Sequence, residues 1–140
     1  MAIKSYRDLD VWHKAMKLAE LCYKETNRFP ARETYGMASQ IRRAAVSIPS
    51  NIAEGNSRHT RQAYLNHLSI ALGSQSELET QVELSRRLEL ISEKPAHEIL
   101  TLAELVGRML HALIRSLDQK GEQGIQPPAP SPEPLCLPNA

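Results

Sequence analysis

Apolar residues recur at spacings of three and four along most of the chain, and that period predicts helices. The first stripe reads Trp12, Ala15, Met16, Ala19, Cys22 and Tyr23, widened by Val11, Leu18 and Leu21. Asp8 or Asp10 is placed to cap this helix, which is predicted to run to about Asn27. Phe29-Pro30 ends it, because the residue before a proline is pushed out of the α region. The second stripe, Met37, Ile41, Ala44, Ala45, Ile48 and Ile52, predicts a helix that starts between Pro30 and Thr34. Pro49 lies inside it, removes one backbone donor and predicts a kink. Asn51 is placed to satisfy the carbonyl this frees near Ala45. Gly55 or Asn56 suits a left-handed closing position.

Thr60 is the best cap for a third helix, whose stripe is Tyr64, Leu65, Leu68, Leu72, Leu78, Val82 and Leu88. Ser92 to Pro95 predicts a break, with Pro95 suited to a helix start. The fourth stripe is Ile99, Leu102, Ala103, Val106, Met109, Leu110, Leu113 and Leu117. Long helices with short connections predict an all-α, antiparallel up-down four-helix bundle over residues 1–120. From Gly121 the composition changes: six of the last twenty residues are proline, which predicts a disordered, Pro-rich tail over 121–140. The first and fourth helices are apolar over more than one stripe, although a monomeric bundle needs one face per helix. That surplus predicts a homo-oligomer.

Charge alters this picture locally. The net charge is only +1, but residues 1–61 carry eleven Lys/Arg against six Asp/Glu, while residues 62–93 carry two against five. A basic front and an acidic third helix predict internal pairing first and an external partner second. Cys22 and Cys136 fit no ligand or redox spacing, and Cys22 in an apolar stripe reads as a small hydrophobe. The opening MAIKSYRDLDVW has no apolar signal region, and no 18-residue apolar run occurs. The expected compartment is the cytoplasm, with no membrane partner.

Catalytic chemistry finds little support. The five histidines form no tight metal pair, and no glycine-rich loop follows a strand. Ser47, Ser50 and Ser74 lack a base-and-orienter arrangement. No catalytic residue, metal site or cofactor is expected. Arginine is the strongest local signal. Arg42 and Arg43 are adjacent on the second helix, and Arg58 and Arg61 flank His59 at the second turn. Hairpin register puts Arg42 and Arg43 level with Glu77 and Glu79, so pairing with a glutamate, inside the bundle or at a subunit contact, is the preferred reading for that pair. Arg58 and Arg61 have no evident partner and lead the nucleic-acid candidates, with Lys14 and Lys17 as additions from the first helix.

The segments DLDVW (8–12), FPARETYG (29–36), QIRRAAVSIPSNIAEG (40–55) and ALGSQSELETQ (71–81) together resemble one family. It is the bacterial four-helix-bundle proteins encoded in intervening sequences of 23S ribosomal RNA genes. Matching positions are Trp12, Pro30, Glu33, Gly36, Gln40, Arg42, Arg43, Pro49, Asn51, Glu54, Gly55, Arg58, Gly73 and Glu77, with Ala63 departing where an acid often completes a capping box. The resemblance implies a ring-like homopentamer. It also implies a distant likeness to the accessory protein of diversity-generating retroelements, which binds a reverse transcriptase and nucleic acid. The expected function is a non-enzymatic, oligomeric protein that binds structured RNA, such as ribosomal RNA, through the basic turn between the second and third helices; DNA is a further candidate ligand. The alternative is a protein–protein scaffold or an accessory subunit for a nucleic-acid enzyme. Trp12, Pro49, Asn51, Glu54, Gly55 and Glu77 are expected to serve structure.

Overall fold

The structure, a computed structural model, describes residues 5–124. Four α-helices follow in order: α1 (Asp10–Thr26), α2 (Met37–Asn56), α3 (Arg61–Arg87) and α4 (Glu93–Gly124). No strand occurs among the described residues. The helices pack as a closed cycle, α1 on α2, α2 on α3, α3 on α4 and α4 back on α1, with α2 against α3 the most extensive contact. This is the all-α up-down bundle the spacing predicts. α4 continues three residues past Gly121, where the tail was expected to begin. The rest of that tail lies outside the described residues.

The core forms where the stripes converge. Leu18, Ile41, Ile48, Ile52, Leu68, Leu78, Ile99 and Leu110 are fully buried, each stabilising by about 1.5–3 kcal/mol relative to exposure. Cys22 is buried among them, and burial pushes its thiol up to about 12, so it stays protonated and behaves as a hydrophobe. Gln75 is buried too. Its amide donates to the Ala103 carbonyl at 3.0 Å and fills the space left by Gly107, where a Cβ would meet its nitrogen at 2.9 Å.

Several local expectations change. Neither Asp8 nor Asp10 caps α1; Leu9 holds the cap position without a side-chain bond. Asp8 instead closes a capping box with Ser5 around a short 3-10 turn, Tyr6–Asp8. A second 3-10 turn, Ala31–Glu33, precedes α2, which begins only at Met37. There the Glu33 carboxylate accepts from the Met37 amide at 3.0 Å. Thr60 caps α3 as expected, accepting from the Ala63 amide at 3.1 Å.

The break after α3 comes earlier than predicted. Leu88 is exposed and Glu89 adopts a left-handed φ of 61°. The Leu90 and Glu89 amides donate back to the Ser85 and Arg86 carbonyls at 2.9 and 3.1 Å, a helix-closing motif that usually holds glycine at the left-handed position. The surplus apolar surface is also distributed differently. The large hydrophobics that stay exposed on the helices lie on α1 (Met16, Tyr23), α2 (Val46) and α3 (Ile70, Leu84), with Tyr35 and Leu88 exposed in the connections, while the second stripe of α4 is partly buried against the core.

Candidate nucleic-acid interface

The turn between α2 and α3 brings Arg58, His59 and Arg61 together at one end of the bundle, all exposed. Each arginine there has a carboxylate. Arg58 donates to Glu54 one helical turn back at 2.9 Å. Arg61 reaches across to Asp118 of α4 at 3.5 Å. Exposed pairs of this kind contribute roughly 0–1 kcal/mol to stability, but they cancel local charge. Lys14 is half-buried and Lys17 exposed on α1. No ion pair or hydrogen bond among the described residues joins them to the turn.

Above that turn the polar residues of α2 face α3. Asn51 donates through Nδ2 to the Ser47 carbonyl at 2.8 Å and accepts at Oδ1 from His67 Nδ1 at 3.0 Å. That geometry places a proton on Nδ1 of His67. Ser47 meets Ser74 hydroxyl to hydroxyl at 2.7 Å. Asn51 therefore serves the Ser47 carbonyl and α3, not the carbonyl of Ala45. Gly55 is helical and buried, with no positive φ. Its role is close approach: a Cβ there would lie 2.7 Å from Cβ of His67. α2 runs through Pro49 as one helix, and Pro49 is buried. Gly73 is the opposite case, since a Cβ there meets nothing within 4 Å.

At the other end of the bundle, Arg42 and Arg43 find neither Glu77 nor Glu79. Glu77 instead accepts from Gln81 at 3.2 Å, on its own helix. Arg42 turns toward α1. Its Nε donates to Thr26 Oγ1 and its Nη2 to Asn27 Oδ1, both at 2.8 Å. Its guanidinium lies 5.0 Å over the Tyr23 ring, a cation–π contact. The Thr26 hydroxyl is itself fixed by donating to the Cys22 carbonyl at 2.7 Å. All of these partners are neutral. Arg43 is exposed and joins no ion pair among the described residues. Residues 23–43 hold five bases and two acids; of those acids Glu25 is buried and Glu33 binds the start of α2.

The α3–α4 corner at this same end is neutralised. Arg86 and Arg87 both donate to Glu83, and Arg86 also reaches Glu93 at 2.8 Å. Those hydrogen bonds hold the Glu83 carboxyl below its ordinary value. The uncompensated charge at this end thus lies on the α1–α2 side.

Beside Arg42 and Arg43 is a shallow hollow of about 370 Å³, lined also by Tyr23, Thr34, Tyr35 and Ser39. Sequence reasoning missed the aromatic and hydroxyl members. Their signal was the pairing of arginine with an aromatic in FPARETYG, just before the helix that carries Arg42 and Arg43. A second, apolar groove of about 450 Å³ runs between α1 and α2, where Trp12, Met16, Val46 and Pro49 form much of the wall.

Among the described residues no cluster of three or more His, Cys, Asp or Glu is placed to hold a metal ion. No helix there is long and apolar enough to cross a membrane. The model of one family, the 23S rRNA-intervening sequence proteins, matches residues 7–112. The chain belongs to that family. The match takes in the polar contacts between α2 and α3 as well as the Arg42–Arg43 hollow. Among solved structures, the chain resembles a protein of unknown function from the S23 ribosomal protein family of Bacteroides thetaiotaomicron. The two share 26% identity and a TM-score of 0.71, over 75% of this chain and 95% of that one. No curated protein matches the chain.

Proposed function

We propose that this family member is a non-enzymatic, homo-oligomeric RNA-associated protein that holds RNA by arginine contacts to phosphates. The observation that carries the reading is Arg42 with Arg43: two arginines that line one hollow without a carboxylate in its wall, bonded only to neutral groups or to none. Phosphate contacts of this kind supply sequence-independent affinity that falls steeply with salt. The α2–α3 turn makes no phosphate contact in this reading, since Arg58 and Arg61 are already paired with Glu54 and Asp118.

Self-association has support of its own. Ile70 and Leu84 on α3 are 52% and 44% exposed, and the helix face at Gly73 is open. Two exposed apolar residues on the same face of α3 as an open glycine leave room for a neighbouring helix, in keeping with the ring-like pentamer that the resemblance implies. A scaffold for a protein partner is the second reading, favoured by the apolar groove between α1 and α2.

Binding to a structured ribosomal RNA fragment across a salt series, with the mass measured by sedimentation, tests the reading. It expects an oligomer whose RNA affinity falls linearly on a log–log plot as salt rises. A monomer that leaves RNA free at low salt overturns it.

A further inference from the structure

Tyr35 is 95% exposed, at the rim of the hollow formed with Arg42 and Arg43. An exposed aromatic ring beside a cationic site offers a face on which a base can stack. The lining comprises two guanidiniums, two phenols and the hydroxyls of Thr34 and Ser39, with no carboxylate. All six residues can donate a hydrogen bond, so the hollow suits an anion rich in acceptor oxygens. Its volume of about 370 Å³ lies at the lower end of the roughly 300–1,000 Å³ typical of small-molecule sites.

The hollow is also pre-organised. Arg42 is held through Nε and Nη2 by Thr26 and Asn27 and stacked on Tyr23, which leaves Nη1 free to reach a ligand. Its direction is therefore set before any ligand arrives, and little side-chain entropy is lost on binding. Arg43 adds an exposed second charge from the next position of α2.

From this geometry we infer that the hollow binds one unpaired nucleotide of a single strand, its phosphate between Arg42 and Arg43 and its base stacked on Tyr35. The inference rests on the RNA reading above and narrows it. A duplex offers phosphates but no free base face, so the site discriminates single strands and loops from paired segments. A free nucleotide carries the same chemistry and is a weaker ligand, since it lacks flanking phosphates.

The test uses the full chain and a fluorescent single-stranded RNA of about ten nucleotides, its duplex, adenosine monophosphate and polyglutamate. Tyr35→Ala is expected to weaken single-strand binding about ten-fold, while Tyr35→Phe retains it. The duplex affinity is expected to be unchanged by Tyr35→Ala. Arg43→Gln is expected to lower the salt slope for the single strand by about 0.7. The monophosphate is expected to compete with the single strand for wild type and not for Tyr35→Ala. Tyr35 is exposed, so its variants keep the fold, which helical circular dichroism verifies.

Wild-type binding to the single strand that Tyr35→Ala leaves intact overturns the stacking site alone. Polyglutamate bound as tightly as the single strand also overturns it, in favour of an acidic protein ligand. Wild type that binds none of the RNAs at low salt overturns the RNA reading together with the site.

Discussion

Arg42, near the start of α2, and Arg58, just past its end, are the same residue in different surroundings. Arg58 lies one turn from Glu54 and donates to it. Arg42 donates to a hydroxyl and an amide oxygen and stacks on a phenol, so it is oriented without being neutralised. The middle and last turns of α2, from Ser47 to Gly55, direct polar and small residues into α3. The opposite end of the helix exposes its charge beside Tyr35. One helix therefore divides its labour: one part fixes the bundle, the other presents a surface. Changes in the first should alter stability and spare RNA binding; changes in the second should do the reverse.

The largest effect is expected at Gly55. Gly55→Val forces a side chain into the 2.7 Å gap to Cβ of His67, and overpacking there should cost about 3 kcal/mol in urea denaturation. Asn51→Ala follows. It strips the partner from His67 Nδ1 while removing a bond to the Ser47 carbonyl, for a loss of about 2 kcal/mol. RNA affinity of the folded fraction should be unchanged in both. Loss of RNA binding without loss of stability in either variant would break the division between the two parts of α2.

Much of this was legible in the residues. The apolar periods predict four helices, and Thr60 marks the start of α3 because a hydroxyl cap is a local feature. Asn51 and Gly55 are recognisable as structural, but their partners are not. A proline in the helix directed attention to the carbonyl of Ala45, whereas the facing residues Ser74 and His67 depend on the α2–α3 register. Counting back from the turn pairs Arg42 and Arg43 with Glu77 and Glu79. Counting gives the level along the bundle but not the azimuth, and Arg42 faces α1. The pairing of Arg61 with Asp118 joins residues 57 positions apart, out of reach of local reasoning.

A smaller effect of opposite sign is expected at Glu89, whose φ of 61° is costly for a residue with a Cβ. Glu89→Gly should stabilise by about 1 kcal/mol in the same denaturation assay and leave RNA binding alone. Smaller again is the acid response of Glu83. Hydrogen bonds from Arg86 and Arg87 hold its carboxyl below the ordinary 4.5. Its contribution is therefore present above that value and lost as the pH falls through the lower folded value. The difference in melting temperature between wild type and Glu83→Gln should vanish in acid. The same protonation frees Arg86 and Arg87 from Glu83, and so weakens in acid the contrast between neutralised and open arginines at this end of the bundle.

The most direct test sets Arg43→Gln against Arg61→Gln, both exposed and both losing one positive charge. The slope of log affinity for single-stranded RNA against log salt counts phosphate contacts. The account predicts that Arg43→Gln lowers that slope by about 0.7 and that Arg61→Gln, already opposed by Asp118, leaves it unchanged. A slope that falls for Arg61→Gln and holds for Arg43→Gln would contradict it, and would return the RNA-binding surface to the α2–α3 turn.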